Sequence, residues 1–235
     1  MEPDHRTPGW VRQAVRAAVL DAWAVLLPAE CSGCGRPDRA LCAACTAALR
    51  AEPRPSTRGE LTVWSAVDYS DVTGRVLVAF KDGGRTDAAP ALAAALSAAV
   101  AAVLAATAGT EPGILLVTVP SSRRAWRARG FHPVDLLLAR GGLRPSALLR
   151  PAGRVADQVG LGRDQRLDNR HGSLVAARDL TGCRIVLVDD IVTTGATLRE
   201  AARAIRRAGG EVVGAATVAE TRRHHPDNSR SPETD

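Results

Sequence analysis

The sequence is short of aromatic residues and of lysine. Phe, Trp and Tyr make up 3% of its 235 residues, so its core has to come from the aliphatic side chains and alanine. Lys81 is the single lysine among 31 basic residues, the rest being arginine. A chain drawn so strongly to arginine that keeps one lysine points to a place for a compact ammonium rather than a planar fork. No signal peptide is expected, because residues 1–10 are polar and no small-residue cleavage site follows an apolar run. The one long uncharged stretch, 88–109, is so rich in alanine that a core helix is expected, not a membrane span. A cytoplasmic protein without membrane contact follows. The G-x-x-x-x-G-K-[ST] pattern is also missing, which sets nucleoside-triphosphatases aside. What the chain does have is 46% hydrophobic residues and a net charge of +6, suited to phosphate-bearing ligands or nucleic acid.

One stretch organises the rest. Ile185-Val186-Leu187-Val188 reads as a buried strand running into Asp189 and Asp190. A hydroxyl-rich loop follows (Thr193, Thr194, Gly195, Ala196, Thr197), then a helix from Leu198 to Ala208. Strand, tight turn and helix N-terminus together make an anion site, because backbone N–H groups and the positive end of the helix dipole face it. Gly195 lets the backbone approach the anion. Thr197 is expected to cap the helix, with Glu200 completing a capping box. Carboxylates repel phosphate, so the acid pair suits a sugar diol, Mg²⁺ or both. A ligand with a phosphate and a vicinal diol on one ribose fits both halves.

Near the other end, Cys31-x2-Cys34 and Cys42-x2-Cys45 read as a four-cysteine structural zinc site, the turns eased by Gly33 and Gly35. Disulfides are the alternative, disfavoured in a reducing cytosol. Cys183, at a strand start, reads as a small core residue. The expected organisation is a helix from Trp10 to Leu27 with the four-cysteine zinc module (1–50), a linker (51–60), one α/β domain (61–221) and a disordered tail (222–235).

Within the domain, a strand is expected over 61–69, a helix over 72–80, a long buried helix over 88–106 and a strand over 114–119. A helix over 133–139 and a strand over 211–219 follow. Lys81 stands before Asp82-Gly83-Gly84, where paired glycines permit close approach of a ligand. After the 114–119 strand comes an arginine run, Arg123, Arg124, Arg127 and Arg129, closed by Gly130. It reads as a flap that neutralises pyrophosphate, with Gly130 as hinge, or as a solvated helical face. With Trp126 it also suits single-stranded nucleic acid.

The acid pair, two aliphatics and Thr-Thr-Gly-Ala-Thr resemble the phosphoribosyl pyrophosphate-binding signature of type I phosphoribosyltransferases. That resemblance implies a mostly parallel α/β sheet flanked by helices, with Asp189 and Asp190 on the ribose hydroxyls and 193–197 on the 5′-phosphate. It also sets Lys81 and the arginines toward the pyrophosphate. Joined to the four-cysteine module, Lys81-x-Gly-Gly, Val119-Pro120-Ser121-Ser122, the arginine run with Gly130-Phe131, and Arg166-Leu167-Asp168-Asn169-Arg170, the pattern is similar to the ComF/GntX family of competence-associated proteins. This resemblance implies structural Zn²⁺, Mg²⁺ with the ligand, and an association with DNA uptake. The chain has His132-Pro133 where the family pattern has Asn-Gln. It also has Thr193 where purine-salvage enzymes carry an acid, and a hydroxyl is a poor base near pH 7. Two functions are therefore expected to compete. One is an enzyme that transfers a phosphoribosyl group to an unidentified acceptor. The other is a non-catalytic module that senses such a ligand or engages single-stranded DNA and DNA-uptake proteins.

Overall fold

The computed structural model describes residues 30–37, 41–107, 113–121, 123–152 and 172–221. The expected N-terminal helix over 10–27, the Arg166–Arg170 stretch and the C-terminal tail lie outside the described residues. A six-stranded sheet forms the middle layer of a mixed α/β fold, in the order β1-β2-β8-β7-β3-β4. Its strands are β1 (Arg54–Arg58), β2 (Leu61–Asp68), β3 (Ile114–Thr118), β4 (Pro145–Ser146), β7 (Arg184–Val192) and β8 (Glu211–Glu220). All neighbours pair in parallel except β1, which runs antiparallel to β2 at one edge. A separate hairpin joins β5 (Leu149–Pro151) to β6 (Leu174–Ala176).

The helices divide between the two faces because the strands alternate. Val186 and Val188 of β7 point into one core with α2 (Asp71–Lys81), α3 (Ala89–Ala106) and α5 (Pro133–Arg140). Ile185 and Leu187 point into the other, beneath α6 (Ala196–Arg207) and the β5–β6 hairpin. Helix α3, with the 3-10 turn before it, is long and apolar enough to cross a membrane by length and composition. Here it packs against the sheet and α5, and Leu92, Leu96 and Val103 are fully buried, as expected of a core helix.

Local chemistry sets the helix ends. Ser70 caps α2 by accepting the Thr73 N–H at 3.2 Å, and Lys81 in the last turn faces the negative end of the dipole. Pro133 starts α5 at its first turn, where its missing N–H goes unneeded, with His132 as the preceding cap residue. The family pattern's Asn-Gln is thus replaced by a helix start.

Three sequence expectations are corrected. The expected linker over 51–60 contains strand β1, paired with β2 from Arg54–Ser65 to Arg58–Leu61. Edge strands tolerate a proline such as Pro55, and Gly59 at φ +67° closes a two-residue hairpin turn with Glu60. The acid pair does not end its strand: β7 continues to Val192, because β8 runs alongside as far as Glu220. Finally, α6 is capped by Gly195 in the left-handed conformation, not by Thr197. Glu200 is drawn instead into a buried contact with Arg203 and the Leu174 N–H.

Candidate ribose-phosphate site and four-cysteine cluster

The two acids are adjacent in β7, and Asp190 follows Val186 and Val188 on the side of α2. On the α2 side, the Lys81 ammonium pairs with Asp190 Oδ2, both side chains four-fifths buried or more. Asp189 Oδ1 accepts the Asp190 N–H at 2.9 Å. Alongside Asp189 in register, Thr217 of β8 shares a buried hydrogen bond of 2.8 Å with Ser65 of β2. The carboxyl end of β7 is therefore polar and tied down, while the strand beneath it is dry.

The chain then turns through 193–195 into α6. Gly195 has φ +73°, a conformation that costs a side-chain-bearing residue about 1 kcal/mol or more. Thr194 Oγ1 accepts the Ala196 N–H at 3.3 Å, and the Gly195 carbonyl receives the first helical bond from Arg199 at 2.9 Å. The first turn of this twelve-residue helix faces the loop, which suits an anion.

Sequence reasoning missed Arg58. Its Nε donates to the Thr193 carbonyl at 3.2 Å, and its guanidinium pairs with Glu220 at the end of β8. Its stem lies against Gly195, where an added Cβ would come within 2.8 Å of Arg58 Cβ and Cγ. Arg58 thus fastens the outside of the loop to two strands. No local sequence signal marks it, because Gly59-Glu60 is not one of the strong hairpin dipeptides and the strand before it is polar.

The arginine run forms α4 (Arg123–Arg129), packed beside the Lys81 loop. Arg129 contacts Asp82 Oδ1 through Nη2 at 2.8 Å, and the Phe80 and Phe131 rings meet at 5.8 Å. Arg127 and Trp126 are exposed, and Gly130 has φ +75°. The side chains of Arg123 and Arg124 lie outside the described set. Lys81, Asp189, Asp190 and the 193–197 loop are thus gathered at one end of the sheet. Arg129 joins them through Asp82.

The four cysteines also come together. Their sulfur atoms all lie within 4.8 Å of one another, so the cluster could hold a metal ion, and all five cysteines of the chain are free thiols. Cys42 N donates to Cys31 Sγ at 3.3 Å and Cys45 N to Cys42 Sγ at 3.5 Å. Burial opposes ionisation of Cys31, but the N–H groups of Cys42, Gly33 and Cys34 outweigh it and bring the thiol down to about 6. The Cys45 N–H lowers Cys42, whereas burial pushes Cys45 up. Gly33 is required for closeness, since a Cβ there would meet Cys45 Sγ at 2.6 Å. The knuckle docks on α2, with Arg75 Nε donating to the Gly33 carbonyl at 2.5 Å and Val72 packed against the cysteines. Cys183 is half-buried beside the α6-side core, in line with its reading as a core residue.

Comparison with known proteins points the same way as the acid pair and loop. Residues 147–234 match the phosphoribosyl transferase domain. The orotate phosphoribosyltransferase of Pyrobaculum aerophilum is 35% identical over 77 residues, 33% of this chain and 39% of that protein. The adenine phosphoribosyltransferase of Streptomyces coelicolor is 38% identical over 97 residues, 40% of this chain and 51% of that protein. The chain thus spans about two fifths to one half of the length of these curated relatives. A solved adenine phosphoribosyltransferase from Saccharomyces cerevisiae covers 76% of this chain and 89% of its own, at 13% identity and a TM-score of 0.36, too distant to carry an argument. The similarity to the phosphoribosyl transferase domain thus lies in the C-terminal part of the chain, residues 147–234, and the curated relatives named above are phosphoribosyltransferases.

Proposed function

We propose that this protein binds phosphoribosyl pyrophosphate with Mg²⁺ and transfers the phosphoribosyl group to an acceptor not yet identified. The observation that carries this reading is the pairing of Lys81 with Asp190 beside Asp189 and the 193–197 loop, within a chain matching the phosphoribosyl transferase domain. In this reading the loop (Thr193, Thr194, Gly195, Ala196, Thr197) receives the 5′-phosphate, and Asp189 and Asp190 hold the ribose hydroxyls. Lys81, with Arg123, Arg124, Arg127 and Arg129, neutralises the pyrophosphate. The C1–oxygen bond to pyrophosphate breaks, the electron pair leaves with pyrophosphate, and the acceptor forms the new C1 bond and gives up a proton. Mg²⁺, when bound, supplies charge stabilisation on the leaving group, and the acid pair is the oxygen-rich set it prefers.

The metal proposed for Cys31, Cys34, Cys42 and Cys45 is structural zinc. Zinc–sulfur bonds of about 2.3 Å set tetrahedral sulfurs about 3.8 Å apart. Cys34 Sγ and Cys42 Sγ are 3.7 Å apart. The similarity to the ComF/GntX pattern adds cytoplasmic handling of imported DNA as the setting. A second reading, a non-catalytic module for single-stranded DNA or DNA-uptake partners, draws on one observation: Trp126 is 47% exposed beside exposed Arg127 on α4.

Calorimetric titration of zinc-replete protein with Mg²⁺–phosphoribosyl pyrophosphate tests the main reading. Binding by the wild type, lost in Asp189→Asn/Asp190→Asn, is the expected result. Absence of binding by the wild type rejects it. Salt-dependent binding of a single strand instead, lost in Arg127→Ala, would favour the second reading.

A further inference from the structure

The loop opens on its outer side into a cleft of about 840 Å³ lined by none of the residues assigned above to the ligand, apart from Thr193 and Thr194 of the 5′-phosphate loop. Its wall is strand β1, and its charge comes from Arg54, Arg58 and Arg199. The acid in the cleft, Glu220, is already neutralised by Arg58. Among the described residues Arg54 is held only by an exposed contact to Glu52, which water and salt weaken and which is readily exchanged. Among the described residues Arg199 makes no ion pair, and its stem crosses the β1–β2 turn, with Cδ 3.3 Å from the position of a Cβ on Gly59. The Ser56 hydroxyl, on the same wall, is shielded from water and has no hydrogen-bond partner among the described residues. The cleft therefore combines two arginines not committed to buried partners with hydroxyls from Thr57, Thr193 and Thr194.

A pocket for a terminal phosphomonoester needs no such extension. A monoester has one bridging oxygen, directed back to the ribose, and its remaining oxygens end at the loop. Here the loop shares Thr193 and Thr194 with a second, basic cavity of nucleotide size, since small-molecule sites run from about 300 to 1,000 Å³. We propose that the cleft receives a second phosphate, joined through the 5′-phosphate to the ribose held at the acid pair. The ligand class is then a ribose 5-phosphate extended as a pyrophosphate-linked nucleotide, with Arg54 and Arg199 binding the outer phosphate. This rests on the ribose-phosphate reading of the 193–197 loop and adds the part of the ligand that lies beyond it. Arg58, already bound to the Thr193 carbonyl and Glu220, stands in the wall of the cleft.

Two probes separate a closed monoester site from an open one. Ribose 5-phosphate carries only the inner group, whereas ADP-ribose carries the same ribose 5-phosphate extended by a second phosphate and a nucleoside. Both are titrated calorimetrically into the zinc-replete, Mg²⁺-containing full chain and into Arg54→Ala/Arg199→Ala, with melting curves to verify folding. The wild type is expected to bind ADP-ribose at least about tenfold more tightly than ribose 5-phosphate, about 1.4 kcal/mol. In the double variant that preference should fall to about onefold while ribose 5-phosphate binding stays unchanged. ADP-ribose binding no better than ribose 5-phosphate, or a preference that survives in the variant, overturns the proposal. Phosphoribosyl pyrophosphate, a 5′-monoester, is titrated alongside and should bind both proteins alike. Its failure to bind, with arginine-dependent ADP-ribose binding intact, would remove the transferase reading and leave the cleft assigned.

Discussion

Lys81 and Asp190 form an ion pair at the carboxyl end of the central strand β7, the side chains 19% and 16% exposed. The ammonium comes from the last turn of α2 on one face of the sheet, so the pair joins a helix terminus to the strand end where the ribose is proposed to lie. A ligand's diol or cation has to share Asp190 with Lys81. Removing the ammonium therefore leaves a partly buried carboxylate without its counter-charge. Lys81→Ala is expected to lower affinity for Mg²⁺–phosphoribosyl pyrophosphate at least about tenfold in calorimetry. Lys81→Arg should recover little of it, because the planar guanidinium cannot occupy the position of a compact ammonium. Full affinity in Lys81→Ala would remove this residue from the site.

Gly195 answers two demands at once, a left-handed backbone and contact with the Arg58 stem. Gly195→Ala should destabilise the protein by about 1–3 kcal/mol, combining the backbone penalty with displacement of Arg58. Those parts are separable. In a double-mutant cycle with Arg58→Gly, which removes the Cβ as well as the Cγ that a side chain at 195 would strike, the steric part disappears and the backbone part remains, so the two changes together should cost less than their sum by about 0.5 kcal/mol or more. Strict additivity in urea unfolding would show that Arg58 yields freely and does not hold the loop.

The centre of the site was legible in the sequence because its signals are local. An unbroken aliphatic run, two acids and a Gly-containing hydroxyl loop lie within fourteen consecutive residues, Ile185 to Leu198. The paired Cys-x2-Cys knuckles were legible for the same reason, and their sulfurs do converge. What escaped notice depends on residues far apart in the chain. Strand β1 is polar and contains Pro55, so it reads as linker until β2 supplies its register. Arg58 meets Thr193 across 135 positions and Glu220 across 162, and no local pattern announces either contact. The Thr197 cap failed because a helix entered through a left-handed glycine needs no side-chain cap. That freed Glu200 for a buried partner elsewhere.

Metal removal gives a test independent of the sheet. The cysteine knuckle bears on α2 through Arg75 and Val72, and Leu49, just beyond α1 (Ala43–Ala48), belongs to the main core. Loss of the metal should therefore be felt beyond the knuckle. Purified protein is expected to contain about one equivalent of zinc, and Cys45→Ser to lose most of it. Chelation should lower the melting temperature by about 5 °C or more. Unchanged zinc content and melting in Cys45→Ser would exclude the four-cysteine site.

Glu200 and Arg203 supply the pH dependence. Glu200 on α6 is buried, accepts the Leu174 N–H at 2.9 Å and binds Arg203, whose Nη2 donates to the Leu174 carbonyl at 2.9 Å. One helix thus grips both polar groups of a single residue of β6, holding the β5–β6 hairpin against the sheet. Burial works to raise the Glu200 pKa, but the Arg203 guanidinium and the N–H groups of Leu174 and Gly172 outweigh it and hold the carboxyl below its ordinary 4.5. A carboxyl depressed in the folded state stabilises that state above its unfolded value and loses the contribution as pH falls through the folded one. Arg203 is shifted upward, by its bond to Glu200 first, so its own titration lies far above the acid range. Glu200→Gln should accordingly cost about 2 kcal/mol at pH 7 by urea unfolding, since it leaves Arg203 without its counter-charge. The gap between wild type and variant should narrow steadily below pH 4.5 as Glu200 takes up its proton. A gap that widens on acidification would mean that the carboxylate is held at a cost and does not clamp the hairpin.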